Sequence, residues 1–313
     1  VKLRVAVTLL AAGCRAAPIA EAARFPAGTG LTAHFVTVQG TRLRYIEAGQ
    51  GAPVVLLHGL GASMYAWRKN LEPIAAAGFR AVAFDNRGFG ESDKPATGYD
   101  NAAYADLLRG FLDSLRIPEA VLVGHSMGGA IAAEVAIRYP HRVRGLVLID
   151  AAGLGARLPL LFHIARWPVL GPLALGLRGR GLTERILKST YADPSKVTSE
   201  DVDQYYAAVA EPAYGRAMRA VLREFRFDAL RGRLGRVAAP TLVLWGEEDR
   251  QIPPALGRAL AASIAGSAFL SIPHAGHALP EEAPEATNRI VIKFLREGLA
   301  PIPPDLALEE GSR

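Results

Sequence analysis

Ser126 stands in Gly124-His125-Ser126-Met127-Gly128, between an apolar run, Ala120-Val121-Leu122-Val123, and a helix-like run from Gly129 to Arg138. A serine on a sharp strand-to-helix turn can attack a carbonyl carbon. The turn lifts its hydroxyl clear of the sheet edge, and the flanking glycines let strand and helix approach closely. The start of the helix offers backbone N–H groups to the negative charge that develops on the attacked oxygen. The bland alternative is a plain glycine-rich turn. A hydroxyl is a weak nucleophile near neutral pH, so it needs a base, and the base needs an acid to orient it. Of the seven histidines, His277 is favoured as the base. It follows a glycine in the loop that leaves the apolar run Ala268-Phe269-Leu270-Ser271-Ile272, ahead of a helix-like run from Glu282. His274 is its main competitor. His125 is turned away by the elbow, His58 braces a loop, and His34, His141 and His163 suit surface or packing roles.

Two aspartates could orient the base. Asp249 follows Thr241-Leu242-Val243-Leu244-Trp245-Gly246, and Asp150 ends Leu146-Val147-Leu148-Ile149. The order Ser, Asp, His holds for both, so order does not choose between them. Asp249 could instead be a solvated turn carboxylate beside Glu247 and Glu248, and Asp150 a loop cap. The oxyanion needs two preorganised donors. The expected pair is the backbone N–H of Met127 and that of Leu60, in the glycine-rich loop His58-Gly59-Leu60-Gly61. Each such donor is worth roughly 3–4 kcal/mol of transition-state stabilisation.

From about His34 to about Leu295 the chain resembles the α/β-hydrolase superfamily, in its cap-bearing branch of esterases, C–C bond hydrolases, cofactor-free haloperoxidases and epoxide hydrolases. The resemblance rests on His58-Gly59, Asp85-Asn86-Arg87-Gly88-Phe89-Gly90-Glu91-Ser92, the Ser126 elbow, Trp245-Gly246-Glu247-Glu248-Asp249, and Gly276-His277 followed by Glu282 and Pro284. It implies Asp249 as the acid, with Asp150 as the alternative, and a structural role for Asp85 and Arg87. A serine at the elbow argues against epoxide hydrolases and haloalkane dehalogenases, which use aspartate. C–C bond hydrolases usually carry a Ser-Gly-Pro-Gly type loop after His-Gly and a tryptophan after the histidine. Here these positions read Leu60-Gly61-Ala62-Ser63 and Ala278, which argues against that activity. The resemblance then implies a serine hydrolase of a small, apolar carboxylic ester, working through an acyl-enzyme. Perhydrolysis of the haloperoxidase kind and C–C hydrolysis share the triad. A non-catalytic hydrolase-fold binding protein is the alternative of another class, because fold alone does not carry function.

These residues need a scaffold. Strands are predicted at His34–Val38, Arg42–Glu47, Val54–Leu57, Ala81–Phe84, Ala120–Gly124, Gly145–Ile149, Thr241–Leu244 and Ala268–Ile272. The later ones are continuous apolar runs, as for strands buried on both faces. Helices are predicted at Met64–Ala77, Asn101–Leu115, Gly129–Arg138, Pro254–Ala265 and Glu282–Arg296. This alternation predicts an α/β protein: a mostly parallel eight-stranded sheet with helices on both faces. It stops between Ile149 and Thr241, where Thr183–Ser189, Ser199–Val209 and Pro212–Phe225 read as helices. The expected division is a core at 31–153 and 237–300, a helical cap at 154–236 and a tail at 301–313. The leucine- and proline-rich segment Leu154 to Leu177 is either an apolar wall of the acyl pocket or helices packed on the core. It is no membrane span, since His163 and Arg166 interrupt it.

Lys2 and Arg4 precede an apolar stretch, Val5 to Ala12, that ends at Gly13-Cys14. This pattern predicts a secretory signal at 1–13, and Leu10-Ala11-Ala12-Gly13-Cys14 resembles a bacterial lipobox, with Cys14 as the acylated residue. An Ala/Pro/Gly-rich tether at 14–30 would follow. The expectation is an exported, membrane-anchored lipoprotein of a bacterial envelope, with a cytoplasmic enzyme as the alternative. Cys14 is the single cysteine, which excludes an intramolecular disulfide. The net charge is +6 over 313 residues, without a basic block interleaved with aromatics, so no nucleic-acid partner is expected. No metal-ligand spacing, dinucleotide fingerprint or repeat occurs, so no metal or cofactor is expected.

Overall fold

The computed structural model describes residues 19–20, 23–176 and 178–298. The predicted signal at 1–13, Cys14 and the tail at 301–313 lie outside them. Eight strands form one sheet in the order β1-β2-β4-β3-β5-β6-β7-β8. They are β1 (His34–Val38), β2 (Thr41–Ala48), β3 (Ala52–Leu57), β4 (Phe79–Phe84), β5 (Ala120–His125), β6 (Val143–Ile149), β7 (Thr241–Gly246) and β8 (Ala268–Ile272). β2 pairs antiparallel with β1 and β4, and every other pairing is parallel.

Side chains alternate between the two faces of a strand, and the central strands use both. On one face Val55, Leu57, Leu122, Leu146, Leu148 and Val243 pack under the helices α2 (Asn101–Ser114), α3 (Met127–Arg138) and α9 (Pro254–Ala262). On the other, Val54, Leu56, Val123, Val147, Leu242 and Leu244 pack under α1 (Leu71–Ala76) and α11 (Pro284–Glu297). Among the described residues no helix is long and apolar enough to cross a membrane.

Two predicted helices are each divided, and proline is the reason both times. The run expected over Met64–Ala77 is a 3-10 turn, Met64–Trp67, followed by α1. Pro73 has no N–H for the carbonyl of residue 69, and its ring collides with it. The Lys69 carbonyl instead accepts from Asn288 Nδ2 at 2.9 Å. The run expected from Glu282 splits into α10 (Leu279–Glu282) and α11, with Ala283 at φ −128°, ψ 57°. The residue before a proline is driven out of helical backbone, and here that residue precedes Pro284.

Between β6 and β7 the chain forms α4 (Leu160–Ala165), α5 (Leu170–Gly176), α6 (Arg180–Lys188), α7 (Ser199–Val209) and α8 (Tyr214–Glu224). Two of these, α4 and α5, fall in the Leu154 to Leu177 segment, for which packed helices are one of the two expectations. A buried ionic cluster fastens this insertion to the core. Arg68 donates to Asp201 of α7 at 2.6 Å and to Glu281 of α10 at 2.5 Å. Tyr65 and Tyr205 donate to the same two carboxylates at 2.8 and 2.6 Å. Part of the predicted tether is also fastened: Phe25 is buried edge-on to Tyr65, and its backbone bonds Gln204 and Arg44. The Ala/Pro/Gly-rich composition behind the expected tether at 14–30 does not show that Phe25 finds a slot.

Candidate active site

Strand register brings the candidate residues together. β3 and β5 pair with Leu57 opposite Gly124, so His58-Gly59-Leu60 and His125-Ser126-Met127 emerge side by side at the carboxyl edge. Gly246 of β7 lies opposite Ile272 of β8, so the loops carrying Asp249 and His277 leave the same edge. Open parallel sheets hold their ligands at this edge, where the strand order reverses.

Ser126 has φ 54° and ψ −118°, a backbone state that costs a non-glycine residue on the order of 1–3 kcal/mol. The surroundings enforce it. Ser126 N–H donates to the Ile149 carbonyl at 3.0 Å, and Gly129 and Ala152 N–H donate to its own carbonyl at 3.0 Å. A Cβ on Gly124 would stand 2.5 Å from the Gly128 carbonyl oxygen, and one on Gly128 would strike the Leu57 carbonyl. The elbow glycines are therefore required by close approach of backbone.

His277 Nε2 lies 3.0 Å from Ser126 Oγ, and His277 Nδ1 lies 2.8 Å from Asp249 Oδ2. The other oxygen of Asp249 accepts from the Gln251 and Ile252 N–H groups at 2.8 and 2.9 Å. Trp245 Nε1 closes this turn by donating to the Ile252 carbonyl at 2.8 Å. The Asp249 carboxylate is thus gripped on one side and free to orient the imidazole on the other. His274 is 92% exposed beside Glu248, away from this relay.

Asp150 is fully buried, and its Oδ1 accepts from Gly246 N–H at 2.8 Å. Burial, and then the charge of Asp249, push its carboxyl well above the usual range. It supports the β7 turn and makes no bond to His277. The loop 58–61 is braced as expected: His58 Nδ1–H donates to the Gly59 carbonyl at 2.8 Å, and its Nε2 accepts from Asn86 N–H at 2.9 Å. Burial holds this imidazole below its ordinary pKa, which keeps one nitrogen an acceptor. Asp85 accepts from Met64 and Glu91 N–H at 2.8 and 2.9 Å, and Arg87 reaches Gly98 and Thr41. The N–H groups of Leu60 and Met127 make no hydrogen bond among the described residues, and Leu60 lines the pocket above Ser126.

Two positioning residues escaped the sequence reading. His125 Nε2 lies 2.6 Å from the His277 carbonyl, so it donates there and holds the backbone of its neighbour. Burial and the nearby His277 push its pKa down to about 3. Glu282 accepts from the N–H groups of Gly276, Ala192 and Asp193 at 2.7, 3.0 and 2.8 Å, tying the His277 loop to the insertion. A histidine at the elbow and a glutamate five residues past His277 carry no local signal of these bonds, which form across distant segments.

A pocket opens above Ser126 and His277. Leu158, Leu161, Phe162, Leu182, Ile186 and Leu187 make much of its wall, with Tyr205 and Glu281 among the polar groups. Burial raises the Glu281 pKa, a rise that Arg68 opposes. Among the described residues no cluster of three or more His, Cys, Asp or Glu side chains could hold a metal.

The sequence profile of the alpha/beta hydrolase fold matches residues 52–284. A 2-hydroxy-6-oxo-6-phenylhexa-2,4-dienoate hydrolase of Burkholderia cepacia is 31% identical over 288 residues, covering 85% of this chain and 97% of that enzyme. The crystal structure of a bacterial membrane phospholipase A superposes with a TM-score of 0.74 at 29% identity, covering 86% of this chain and 87% of that one. A meta-cleavage product hydrolase superposes with a TM-score of 0.74 at 27% identity, covering 84% and 98%. With its profile, sheet order and relatives in agreement, the chain belongs to the α/β-hydrolase fold family and is a hydrolase.

Proposed function

We propose that this hydrolase cleaves carboxylic esters of apolar acids through an acyl-enzyme. Ser126 attacks the acyl carbon while His277 takes its proton. The oxyanion is held by the Leu60 and Met127 N–H groups, and Asp249 stabilises the imidazolium. His277 returns the proton to the leaving alcohol, and water releases the acid by the same steps in reverse. The pocket wall carries the choice of substrate: it is mainly apolar, and its buried acid, Glu281, shares one cation, Arg68, with Asp201. Arg157 and Arg178 also line the pocket, so its charged groups do not choose between neutral and anionic substrates, and the apolar wall carries the ester reading. The phospholipase A likeness supports ester chemistry.

The test is hydrolysis of p-nitrophenyl esters from short to long acyl chains, parent beside Ser126→Ala. Turnover lost in the variant supports the reading, and absence of turnover on every ester refutes it. The dienoate hydrolase at 31% identity favours a second reading, C–C cleavage. Consumption of 2-hydroxy-6-oxo-6-phenylhexa-2,4-dienoate faster than any ester would establish it. Export and acylation at Cys14 are a separate proposal, supported by the Leu10–Cys14 pattern. Release of Cys14→Ser from the membrane fraction is expected, and an unchanged distribution refutes it.

A further inference from the structure

Of six large apolar side chains left exposed among the described residues, five are concentrated in one place, and the sixth, Phe35, lies on β1. Leu160, Trp167, Val169, Leu170 and Leu173 are 74%, 61%, 75%, 45% and 67% exposed. All lie on α4, α5 or the turn between them. Contiguous exposed apolar surface of this kind marks an interaction site. The same segment supplies Leu158, Leu161 and Phe162 to the wall of the Ser126 pocket. One short stretch thus presents an apolar ridge outward and a substrate wall inward.

The charge around the ridge has one sign. No Asp or Glu occurs from Ala151 to Thr183, while Arg157, Arg166, Arg178 and Arg180 do. α8, on which α4 and α5 pack, adds Arg216, Arg219 and Arg223. Arg157, Arg166, Arg216, Arg219 and Arg223 make no ion pair among the described residues, and Glu224 beside them is occupied by the Gly98 and Tyr99 N–H groups. Leucine and tryptophan at a ridge crest, with arginines around it, match the acyl boundary and anionic headgroups of a lipid surface.

We propose that the α4–α5 ridge docks on an anionic lipid bilayer and sets the mouth of the Ser126 pocket against it, so that esters of long-chain acids enter from the lipid. The link to the pocket rests on the ester reading above; the docking itself does not.

The test uses the full chain carrying Cys14→Ser, which removes any acyl anchor, alone and with Trp167→Ser, Val169→Ser and Leu173→Ser combined. The probes are vesicles of phosphatidylglycerol with phosphatidylcholine, and of phosphatidylcholine alone. Co-flotation with the anionic vesicles is expected, with a blue shift of tryptophan emission reporting on Trp167, because Trp67 and Trp245 are buried. The combined variant is expected to lose at least about tenfold in partitioning, with turnover of monomeric p-nitrophenyl butyrate unchanged. Equal partitioning of the two proteins, or none by either, overturns the proposal. A dimer that the substitutions disperse, without vesicle binding, overturns it in favour of a second copy on the ridge. Ridge-dependent vesicle binding by a protein inactive on every ester supports docking and refutes only the ester reading.

Discussion

Replacing Asp249 with asparagine changes one atom, and the structure says which way the amide must face. Two backbone donors, Gln251 and Ile252 N–H, point at Oδ1 from 2.8 and 2.9 Å. Asparagine has one acceptor oxygen and one donor nitrogen, so its oxygen takes that place. Its NH2 then faces His277 Nδ1, which must accept. The imidazole proton moves to Nε2, which can no longer take the Ser126 proton. The opposite flip leaves two buried donors facing a donor, at about 1–3 kcal/mol each, or about 2–6 kcal/mol together. At about 1.4 kcal/mol per decade, the productive tautomer falls roughly 30-fold to 10⁴-fold. The same exchange in a serine protease triad costs about 10⁴ in kcat. We expect kcat on a p-nitrophenyl ester to fall about 10³- to 10⁴-fold with KM nearly unchanged and the fold intact by circular dichroism. A loss below about tenfold would refute the orientation argument.

The matched control is Asp150→Asn. With its carboxyl pushed well above the usual range by burial and Asp249, Asp150 is mimicked by a neutral amide, and kcat is expected to fall less than about tenfold. The raised folded-state pKa means that the folded protein binds more protons than the unfolded chain between the two pKa values. Stability is therefore lost as pH rises through that window. The asparagine variant lacks this loss, so its melting temperature should gain on the parent with rising pH and converge below about pH 4. A gap that shrinks as pH rises would contradict the assignment.

Three further variants probe the supports of the site. His125→Phe keeps a ring but leaves the buried His277 carbonyl without its donor, at about 1–3 kcal/mol; kcat should fall at constant KM, and denaturant melts should show the lost stability. In the parent, the His125 pKa of about 3 means that it adds no inflection to the rate profile near neutral pH. Gly128→Ala drives a methyl into the Leu57 carbonyl, a backbone atom with nowhere to move; a destabilisation of about 3 kcal/mol or more is expected, read as the denaturant midpoint. Arg68→Met strands Asp201 and Glu281 without their shared cation; it should cost about 3–5 kcal/mol, and adding Glu281→Gln should recover part of it.

The eight strands and the elbow were legible in the sequence because their causes are local. Continuous apolar runs such as Leu146–Ile149 fit only strands covered on both faces, and Gly124 to Gly128 marks a turn whose backbone needs small residues. The division of the helices at Pro73 and Pro284 was also written in the chain, but helical periodicity hid it. Residue order and strand position left Asp150 and Asp249 open as the acid, and only the family resemblance favoured Asp249; the spatial path of the Asp249 turn is what carries a carboxylate to 2.8 Å from His277. Nor could residue types reveal that His125 grips the His277 carbonyl, or that Glu282 gathers three N–H groups from two segments. Sequence by itself determined the sheet, the candidate nucleophile and the family, because those follow from periodicity and from backbone sterics within a few residues. The tertiary structure decided the orientation of the base, the burial of Asp150 and Glu281 and the exposure of the α4–α5 ridge. Those depend on partners that are distant along the chain, and local composition does not encode them.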